Sequence, residues 1–234
     1  MSDNGRQDPF GDKHGLGRVA VTALCLGLVC GAHLVILVES SSRRTTAWAL
    51  YVVVVCSFHF LEFLSTALYK WRDLSFDSFL VNHSTAYSAA LAAGVGEFWV
   101  EVPFFSPSIP AIVAGLAIVL AGQTLRFVAM ATAREHFAHR IMTRRDASHR
   151  LVTHGVYAFL RHPAYTGWFW WSIGTQILLA NPVCTLAYAW ASWAFFNDRI
   201  PFEEATLASF YPDEYPAYAR ATWVAIPFIA SEYS

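Results

Sequence analysis

Charged residues are scarce in this chain. Only 14% of its 234 residues are Asp, Glu, Lys or Arg, whereas 56% are hydrophobic. Soluble domains carry about a quarter charged residues, so this balance indicates an integral membrane protein. The formal net charge of -1 provides no excess of positive charge for binding a polyanion. We therefore expect no nucleic-acid partner.

Cysteine is also sparse, with four residues in the whole chain. Cys25, Cys30, Cys56 and Cys184 all lie inside apolar runs, without paired spacing and without neighbouring metal ligands. This pattern is not that of a metal site. We interpret the four thiols as small apolar core residues.

Two kinds of catalytic motif are absent. The sequence contains no Gly-x-Ser-x-Gly nucleophile turn, and its Gly94-Val95-Gly96 stretch lies within an apolar run rather than after a strand. This excludes a soluble dinucleotide-binding or methyltransferase sandwich. The first sixteen residues are polar and lack the basic-then-apolar pattern of a secretory signal, so we expect a disordered tail and no cleaved signal.

Long apolar runs are what the sequence has instead. A bilayer core of about 30 Å needs about 20 helical residues. Residues 19–38, 47–69 and 109–131 meet this length, and the shorter run 86–100 is interpreted as a fourth span. Two still shorter runs, 167–180 and 182–196, are joined by the turn signal Asn181-Pro182 and predict a tight helical hairpin. The predicted fold is an all-α polytopic membrane bundle of about six segments.

Basic residues predict the orientation of this bundle. If the N-terminus is cytosolic, almost all Arg and Lys residues outside the spans fall on the cytosolic side, and Arg43 and Arg44 are the exceptions. We therefore expect a disordered cytosolic tail (1–16), four transmembrane helices (17–132) and a catalytic region (133–234). That last region would comprise a cytosolic loop, a helical hairpin (164–200) and an amphipathic C-terminal segment.

Two charged clusters flank the predicted hairpin. Arg161 and His162 precede it, and Arg199, Glu203 and Glu204 follow it. Ionisable groups at a bilayer boundary are costly unless they are paired or face water, so both clusters at one end of a hairpin indicate a polar site. A simpler alternative is that Arg199 and Glu203, four positions apart, form only a surface ion pair.

His162 has a special backbone position because Pro163 follows it. Proline pushes the preceding residue out of the helical region, so we expect His162 to be extended just before a helix. The free N–H groups of the next turn would then form a cradle for a ligand. The alternative is a membrane-entry turn, in which Tyr165 and the following tryptophans act only as interfacial anchors.

Other ionisable residues are given structural interpretations. The region between the fourth span and the hairpin contains His136, His139, His149, His154 and His162. These lack the ligand spacing of a zinc site, so we expect solvated histidines and no metal. Within the spans lie His59, Glu62, Glu97 and Arg126. For these four we favour buried pairing or snorkelling over ligand contact.

Several motifs carry a resemblance to a known family. They are Asp77-Ser78-Phe79-Leu80, Asn82-His83-Ser84, Leu125-Arg126, Ala129-Met130, Leu151-Val152-Thr153-His154-Gly155-Val156-Tyr157, Arg161-His162-Pro163-Ala164-Tyr165-Thr166-Gly167-Trp168, Trp171-Ser172-Ile173-Gly174-Thr175-Gln176 and Glu203-Glu204. Over about residues 58–228 the chain resembles isoprenylcysteine carboxyl methyltransferases. These membrane enzymes methylate the C-terminal carboxylate of prenylated proteins with S-adenosylmethionine.

The resemblance implies roles for individual residues. Cofactor contacts would fall on Met142, His149, Arg150, Leu151, Val152, Tyr157, His162, Pro163, Ala164, Tyr165 and Glu203. Arg199 would hold the substrate carboxylate, and Arg199 and Glu203 would form the catalytic set. Relatives often carry a polar residue where this chain has Met142, and Pro201-Phe202 interrupts what is a longer acidic run in many of them. The resemblance further implies an endoplasmic-reticulum membrane protein with a cytosol-facing site, and farnesyl- or geranylgeranyl-cysteine substrates.

Two other functions stay open at this point. The His-Pro-x-Tyr and Glu-Glu motifs are shared with membrane phospholipid N-methyltransferases, although residues 172–176 are more specific to the prenylcysteine enzymes. An amine acceptor would gain nothing from Arg199, which favours a carboxylate. A non-enzymatic transporter or scaffold is the second alternative, but the sequence has no internal repeat and its charges gather at one predicted face.

Overall fold

The computed structural model describes residues 10–11, 15–101, 106–144, 150–229 and 233. Seven α-helices follow one another in this part of the chain: α1 (Leu16–Glu39), α2 (Arg43–Tyr69), α3 (Thr85–Glu101), α4 (Ile109–Ala133), α5 (Pro163–Leu179), α6 (Pro182–Phe210) and α7 (Tyr215–Ala221). Short 3₁₀ turns connect several of them. The chain forms two compact units, Met1–Ile109 and Pro110–Ser234.

The four predicted spans correspond to α1 to α4, each within a few residues of the predicted bounds. Within the described ranges, three helices are long and apolar enough to cross a membrane: Leu16–Glu39, Arg43–Tyr69 and Ile109–His136. The helix α3 has 17 residues and is therefore about 25 Å long. The predicted all-α membrane helix bundle is confirmed.

The hairpin differs from the prediction in its second arm. The helix α6 does not end near residue 196 but continues through Pro201 to Phe210, over 29 residues. It is therefore about 43 Å long, which is longer than the bilayer core is thick. The apolar run ends before the helix does because the last turns of α6 are polar. A helix needs only backbone hydrogen bonds to continue, and polar residues form these too. Arg199, Glu203 and Glu204 consequently lie on one helix.

The turn of the hairpin is fixed by its own residues. Pro163 occupies the first position of α5, where its missing N–H costs no hydrogen bond. Ala180 ends α5 with a left-handed backbone (φ 60°), and Pro182 begins α6. The buried side chain of Asn181 donates a hydrogen bond from Nδ2 to Gln176 Oε1 at 2.9 Å. This amide pair links the turn to the last part of α5.

Glycines let α4 and α5 approach each other closely within the second unit. A methyl group at Gly122 would lie 2.6 Å from the backbone oxygen of Gly167, and one at Gly174 would lie 2.9 Å from the Ile118 side chain. A side chain at Gly115 would collide with the backbone of Leu178. Small residues at such contacts are typical of helix pairs in membranes. The close contact places the start of α5 against the middle of α4.

The segment after α7 is attached to the hairpin by side-chain hydrogen bonds. Thr166 Oγ1 donates to the Val224 oxygen at 2.5 Å, Trp170 Nε1 to the Ala225 oxygen at 3.1 Å, and Trp193 Nε1 to the Pro227 oxygen at 2.9 Å. An isolated bridge pairs Leu160 with Trp223. The C-terminal segment therefore holds the residues just before α5 in place.

In the first unit, polar residues within the spans bind one another. His59 is buried, and its Nδ1 donates to the Phe79 oxygen at 2.8 Å, so Nε2 can accept the hydrogen bond from the Tyr87 hydroxyl at 3.1 Å. This network joins α2, the 3₁₀ turn Phe76–Phe79 and α3. Glu62 is also buried on α2. This geometry therefore favours buried pairing over ligand contact for His59.

The cysteine prediction is only partly correct. Cys56 and Cys184 are buried, whereas Cys30 is half-buried and Cys25 is exposed on α1. No residue of α1 is buried within the protein, although its mean hydropathy over the best window is 2.5. An apolar sequence run does not distinguish contact with lipid from contact with protein, so the core assignment of Cys25 is wrong.

Candidate active site

A cleft in the second unit lies where the loop after α4, the start of α5, the end of α6 and α7 meet. The cleft is partly open to solvent and has a cavity volume of about 110 Å³. Its lining combines aliphatic, aromatic and charged side chains: Ala133, His136, Phe137, Ala138, Arg150, Leu151, Val152, Tyr157, Arg161, His162, Pro163, Ala164, Tyr165, Glu203, Leu207, Tyr215 and Tyr218.

The buried side of this cleft contains an ion pair. Arg161 Nε donates to Glu204 Oε1 at 2.5 Å, and both side chains are almost completely buried. Arg161 Nη1 also donates to the backbone oxygens of Thr222 at 2.5 Å and Ala219 at 3.3 Å. The pair therefore fixes the end of α7 to the start of α5. A buried pair of this kind needs further hydrogen bonds to be stable, and Arg161 Nη1 makes two of them.

The same carboxylate orients His162. His162 Nε2 lies 3.2 Å from Glu204 Oε1, so Nε2 carries the proton that points to the carboxylate. The backbone of His162 has φ -128° and ψ 55°, which lies outside the helical region as predicted but is less extended than expected. Its carbonyl oxygen accepts hydrogen bonds from the N–H groups of Tyr165 and Thr166, which starts α5.

A second set of polar groups lies around the Tyr165 hydroxyl. This hydroxyl donates to Glu203 Oε2 at 2.5 Å and accepts a hydrogen bond from Arg199 Nε at 2.9 Å. Arg199 Nη2 donates to the His139 oxygen at 2.6 Å. The structure shows no further hydrogen bond to Arg199 Nη1 or to Glu203 Oε1 from the residues that it describes. Within this part of the chain, Glu203 in the cleft lining and Arg199 next to it thus retain atoms that could bind a ligand.

Aromatic residues line the opposite part of the cleft. The Tyr218 hydroxyl donates to the Tyr157 oxygen at 2.8 Å and so joins α7 to the 3₁₀ turn before α5. Burial raises the pKa of the Tyr157 hydroxyl, and the nearby Tyr218 and Glu203 raise it further. Burial likewise raises the pKa of Tyr215. These hydroxyls therefore remain protonated at neutral pH and act as neutral hydrogen-bonding groups.

Most of the residues singled out from the sequence lie together. Arg150, Leu151, Val152, Tyr157, His162, Pro163, Ala164, Tyr165 and Glu203 all line the cleft. Arg199 reaches it through the Tyr165 hydroxyl. Met142 is half-buried in the loop and is not part of the lining, and His149 lies outside the described residues.

Some lining residues were not among the predicted cofactor contacts: His136, Phe137, Arg161, Leu207, Tyr215 and Tyr218. Glu204, the partner of Arg161, was predicted as part of the charged cluster that follows the hairpin but without a role of its own. The adjacent acidic pair could have indicated a separate partner for Glu204. Neighbouring positions on a helix point about 100° apart, so the two carboxylates meet different residues. Nothing in the sequence pattern indicated Tyr215 or Tyr218.

Potential metal ligands do not converge in the described residues, where no group of three or more His, Cys, Asp or Glu side chains is suited to hold an ion. His136 lines the cleft, while His139 contributes its backbone oxygen to Arg199.

Comparison with known proteins gives a consistent result. Residues 114–209 match the model of the family described as "Isoprenylcysteine carboxyl methyltransferase (ICMT) family". Curated relatives named "Protein-S-isoprenylcysteine O-methyltransferase" are 42% identical over 218 residues in Xenopus laevis and 41% identical over 216 residues in Homo sapiens. These alignments cover 92% and 91% of this chain and 75% of each relative.

This chain belongs to that family. The yeast relative of the same name, from Saccharomyces cerevisiae, is 36% identical over 92% of both chains. The solved structure of "the eukaryotic intramembrane Ras methyltransferase ICMT" is 40% identical and superimposes with a TM-score of 0.85, covering 92% of this chain and 77% of that one. The chain is thus a multi-pass membrane enzyme of an O-methyltransferase family, and the resemblance seen in the sequence is confirmed.

Proposed function

We propose that this chain transfers a methyl group from S-adenosylmethionine to the C-terminal α-carboxylate of a prenylated cysteine, giving a methyl ester. The observation that carries the proposal is a pair of charged groups, Glu203 in the cleft lining and Arg199 beside it, linked by the Tyr165 hydroxyl. Among the residues that the structure describes, none binds Arg199 Nη1 or Glu203 Oε1, so the first suits an anion and the second a cation or hydroxyl. The relatives' name adds the prenylcysteine acceptor.

Arg199 is suited to hold the acceptor. A C-terminal carboxylate has a pKa of about 3.5 and is ionised at neutral pH, so no general base is required. A charge-assisted hydrogen bond from Arg199 to one carboxylate oxygen leaves the other oxygen free to attack. An amine acceptor, as in a phospholipid N-methyltransferase, would have to lose a proton and would be repelled by the guanidinium.

The residues around Glu203 fit the proposed cofactor. S-adenosylmethionine has a positive charge, hydroxyl groups and a flat ring, and it supplies an electrophilic methyl group when bound. The free oxygen of Glu203 suits the charged or hydroxyl parts, and the rings of Tyr157 and Tyr165 suit the flat part. The proposed contacts also include Arg150, Leu151, Val152, His162, Pro163 and Ala164, with His149 and, by packing or backbone contact only, Met142.

The proposed reaction is a direct displacement. One acceptor oxygen forms the new oxygen–carbon bond while the carbon–sulfur bond breaks and its electron pair passes to sulfur. No proton moves. Catalysis then requires alignment of the two reactants at about 3–3.5 Å and exclusion of water from the carboxylate, for which a partly buried cleft is suited.

We further propose that residues 133–234 form the catalytic region, and that it faces the cytosol at the endoplasmic-reticulum membrane. The abundance of Arg and Lys on the predicted cytosolic side supports this orientation. In this arrangement the prenyl chain, farnesyl or geranylgeranyl, stays in the apolar phase and its cysteine carboxylate reaches the polar end of α6.

The test is transfer of labelled methyl from S-adenosylmethionine by membranes that contain this chain. N-acetyl-farnesylcysteine and phosphatidylethanolamine are offered as acceptors in parallel. Methylation of the prenylcysteine alone is expected. Methylation of the phospholipid instead would favour the N-methyltransferase alternative, and absence of S-adenosylmethionine binding by the purified protein would favour a transporter or scaffold.

A further inference from the structure

The Tyr165 hydroxyl lies between Arg199, which is proposed to hold the acceptor, and Glu203, which is proposed to bind the methyl donor. Arg199 and Glu203 are four positions apart on α6, yet they interact through Tyr165 of α5. The hydroxyl accepts from Arg199 Nε at 2.9 Å and donates to Glu203 Oε2 at 2.5 Å. It is thus an acceptor for the cation and a donor for the anion at the same time, which a hydroxyl can be.

Aromatic packing holds this hydroxyl in place. The Tyr165 ring stacks on His162 with centroids 5.5 Å apart and planes 6° apart, and it contacts Phe196 at 5.1 Å. The guanidinium carbon of Arg199 lies 5.3 Å from the centre of the same ring. The hydroxyl position is therefore set by rigid neighbours on both helices, and replacement of tyrosine by phenylalanine would remove the hydroxyl while retaining the ring.

This contact determines which atoms of the two charged groups remain available. Tyr165 occupies Arg199 Nε, and the His139 oxygen occupies one hydrogen of Nη2. A carboxylate must then approach the guanidinium from its terminal side, at Nη1 or at the second hydrogen of Nη2. On Glu203, Tyr165 occupies Oε2 and leaves Oε1. The orientation of both charged groups is consequently fixed by one hydroxyl.

We propose that Tyr165 is a positioning residue that aligns the acceptor with the methyl donor by coupling Arg199 to Glu203. This inference rests on the proposed function, in which Arg199 holds the acceptor and Glu203 the donor. Methyl transfer requires the two reactants in line. If each group were oriented separately, small errors in either would misalign the reaction. A shared hydroxyl fixes the two orientations relative to each other.

The first test is Tyr165→Phe in the full-length protein, with kinetics measured against both substrates. We expect kcat to fall about tenfold or more and the KM for N-acetyl-farnesylcysteine to rise, because two hydrogen bonds to charged groups are lost. Tyr188→Phe is the matched control, since it removes a hydroxyl from the same hairpin away from the cleft lining. Parameters of Tyr165→Phe within twofold of the wild type would overturn the inference.

A double-mutant cycle distinguishes coupling from a merely structural role. Once Arg199→Lys has disrupted the link, Tyr165→Phe should cost less than it does alone, so the two effects should be less than additive. Multiplicative effects of the two substitutions on kcat/KM would show independent contributions and would contradict the coupling.

A second experiment does not depend on the behaviour of the Tyr165 variant. Arg199→Lys changes the proposed acceptor side only, yet coupling predicts weaker binding of S-adenosylhomocysteine, by about threefold or more, through Tyr165 and Glu203. Unchanged affinity would overturn the inference. A wild-type protein that binds S-adenosylhomocysteine but methylates no prenylcysteine would instead overturn the proposed function, because the binding comparison is independent of the acceptor.

Discussion

Glu203 and Glu204 are neighbours in the sequence, but their environments in the structure are opposite. Glu204 is 2% exposed and forms a salt bridge with Arg161, whose Nη1 also binds two backbone oxygens. Glu203 is half-buried, binds a single hydroxyl and lines the cleft. The corresponding arginines differ in the same way, because Arg161 is buried and Arg199 is only half-buried.

This difference separates two uses of the same residue types. A buried pair that is bound to its partner and to backbone oxygens contributes to a defined structure. Arg199 and Glu203, which are linked only through the Tyr165 hydroxyl, contribute less to folding and are able to bind a ligand. We therefore expect substitutions at Arg161 and Glu204 to affect stability, and substitutions at Arg199 and Glu203 to affect substrate use.

The largest effect is expected from Arg161→Ala. This change would leave the Glu204 carboxylate buried without its cationic partner, which costs about 3–5 kcal/mol of folding free energy. Thermal unfolding in detergent should show a large loss of stability or a loss of folded protein. Arg220→Ala, which removes an exposed arginine from α7, provides the control. Equal stabilities of the two variants would contradict a structural role for the Arg161–Glu204 pair.

Arg199→Ala should affect activity rather than folding. Loss of a charge-assisted contact to the acceptor carboxylate is expected to cost about 3 kcal/mol, or about a hundredfold in kcat/KM for N-acetyl-farnesylcysteine. The melting temperature should change far less than in Arg161→Ala. A variant that unfolds as readily as Arg161→Ala would remove the distinction between the two arginines.

Glu203→Gln should raise the KM for the methyl donor about tenfold, because the amide retains the shape but not the charge. The same substitution at Glu204 provides a contrast, since it weakens the salt bridge to Arg161 and should lower the unfolding temperature. Equal changes of donor KM, or of unfolding temperature, in Glu203→Gln and Glu204→Gln would contradict the difference between the two glutamates. Isothermal titration with S-adenosylhomocysteine and thermal unfolding together measure both outcomes.

The smallest effect is expected from Tyr218→Phe, which removes one neutral hydrogen bond to the Tyr157 oxygen at the edge of the cleft. A bond of this kind contributes about 1 kcal/mol. Stability should fall slightly, and donor KM should change by less than that of Glu203→Gln. A larger change in donor KM would assign Tyr218 a direct part in binding.

The helices and the site were predictable to different extents. The apolar runs gave the positions of α1 to α4 because burial in a bilayer requires continuous apolar sequence. They did not give the length of α6, whose polar end carries Arg199 and Glu203. Hydropathy reports the surroundings of a segment, whereas helix length depends on backbone hydrogen bonding, which polar residues support equally well.

Within the site, the His-Pro motif predicted the break before α5, because proline constrains the preceding residue locally. The partners of each charged side chain were not predictable in this way. Arg161 binds Glu204 across 43 positions, and Arg199 contacts Tyr165 across 34. Such contacts depend on how α5 packs against α6, and no local pattern encodes that packing.

The sequence by itself determined that this chain is a helical membrane protein, and its motifs indicated the family. It also supplied two arginines and two adjacent glutamates at the ends of a hairpin. Only the tertiary structure decided which arginine meets which glutamate. Successive residues of a helix point about 100° apart, so Glu204 faces the buried Arg161 while Glu203 faces the cleft and the hydroxyl of Tyr165.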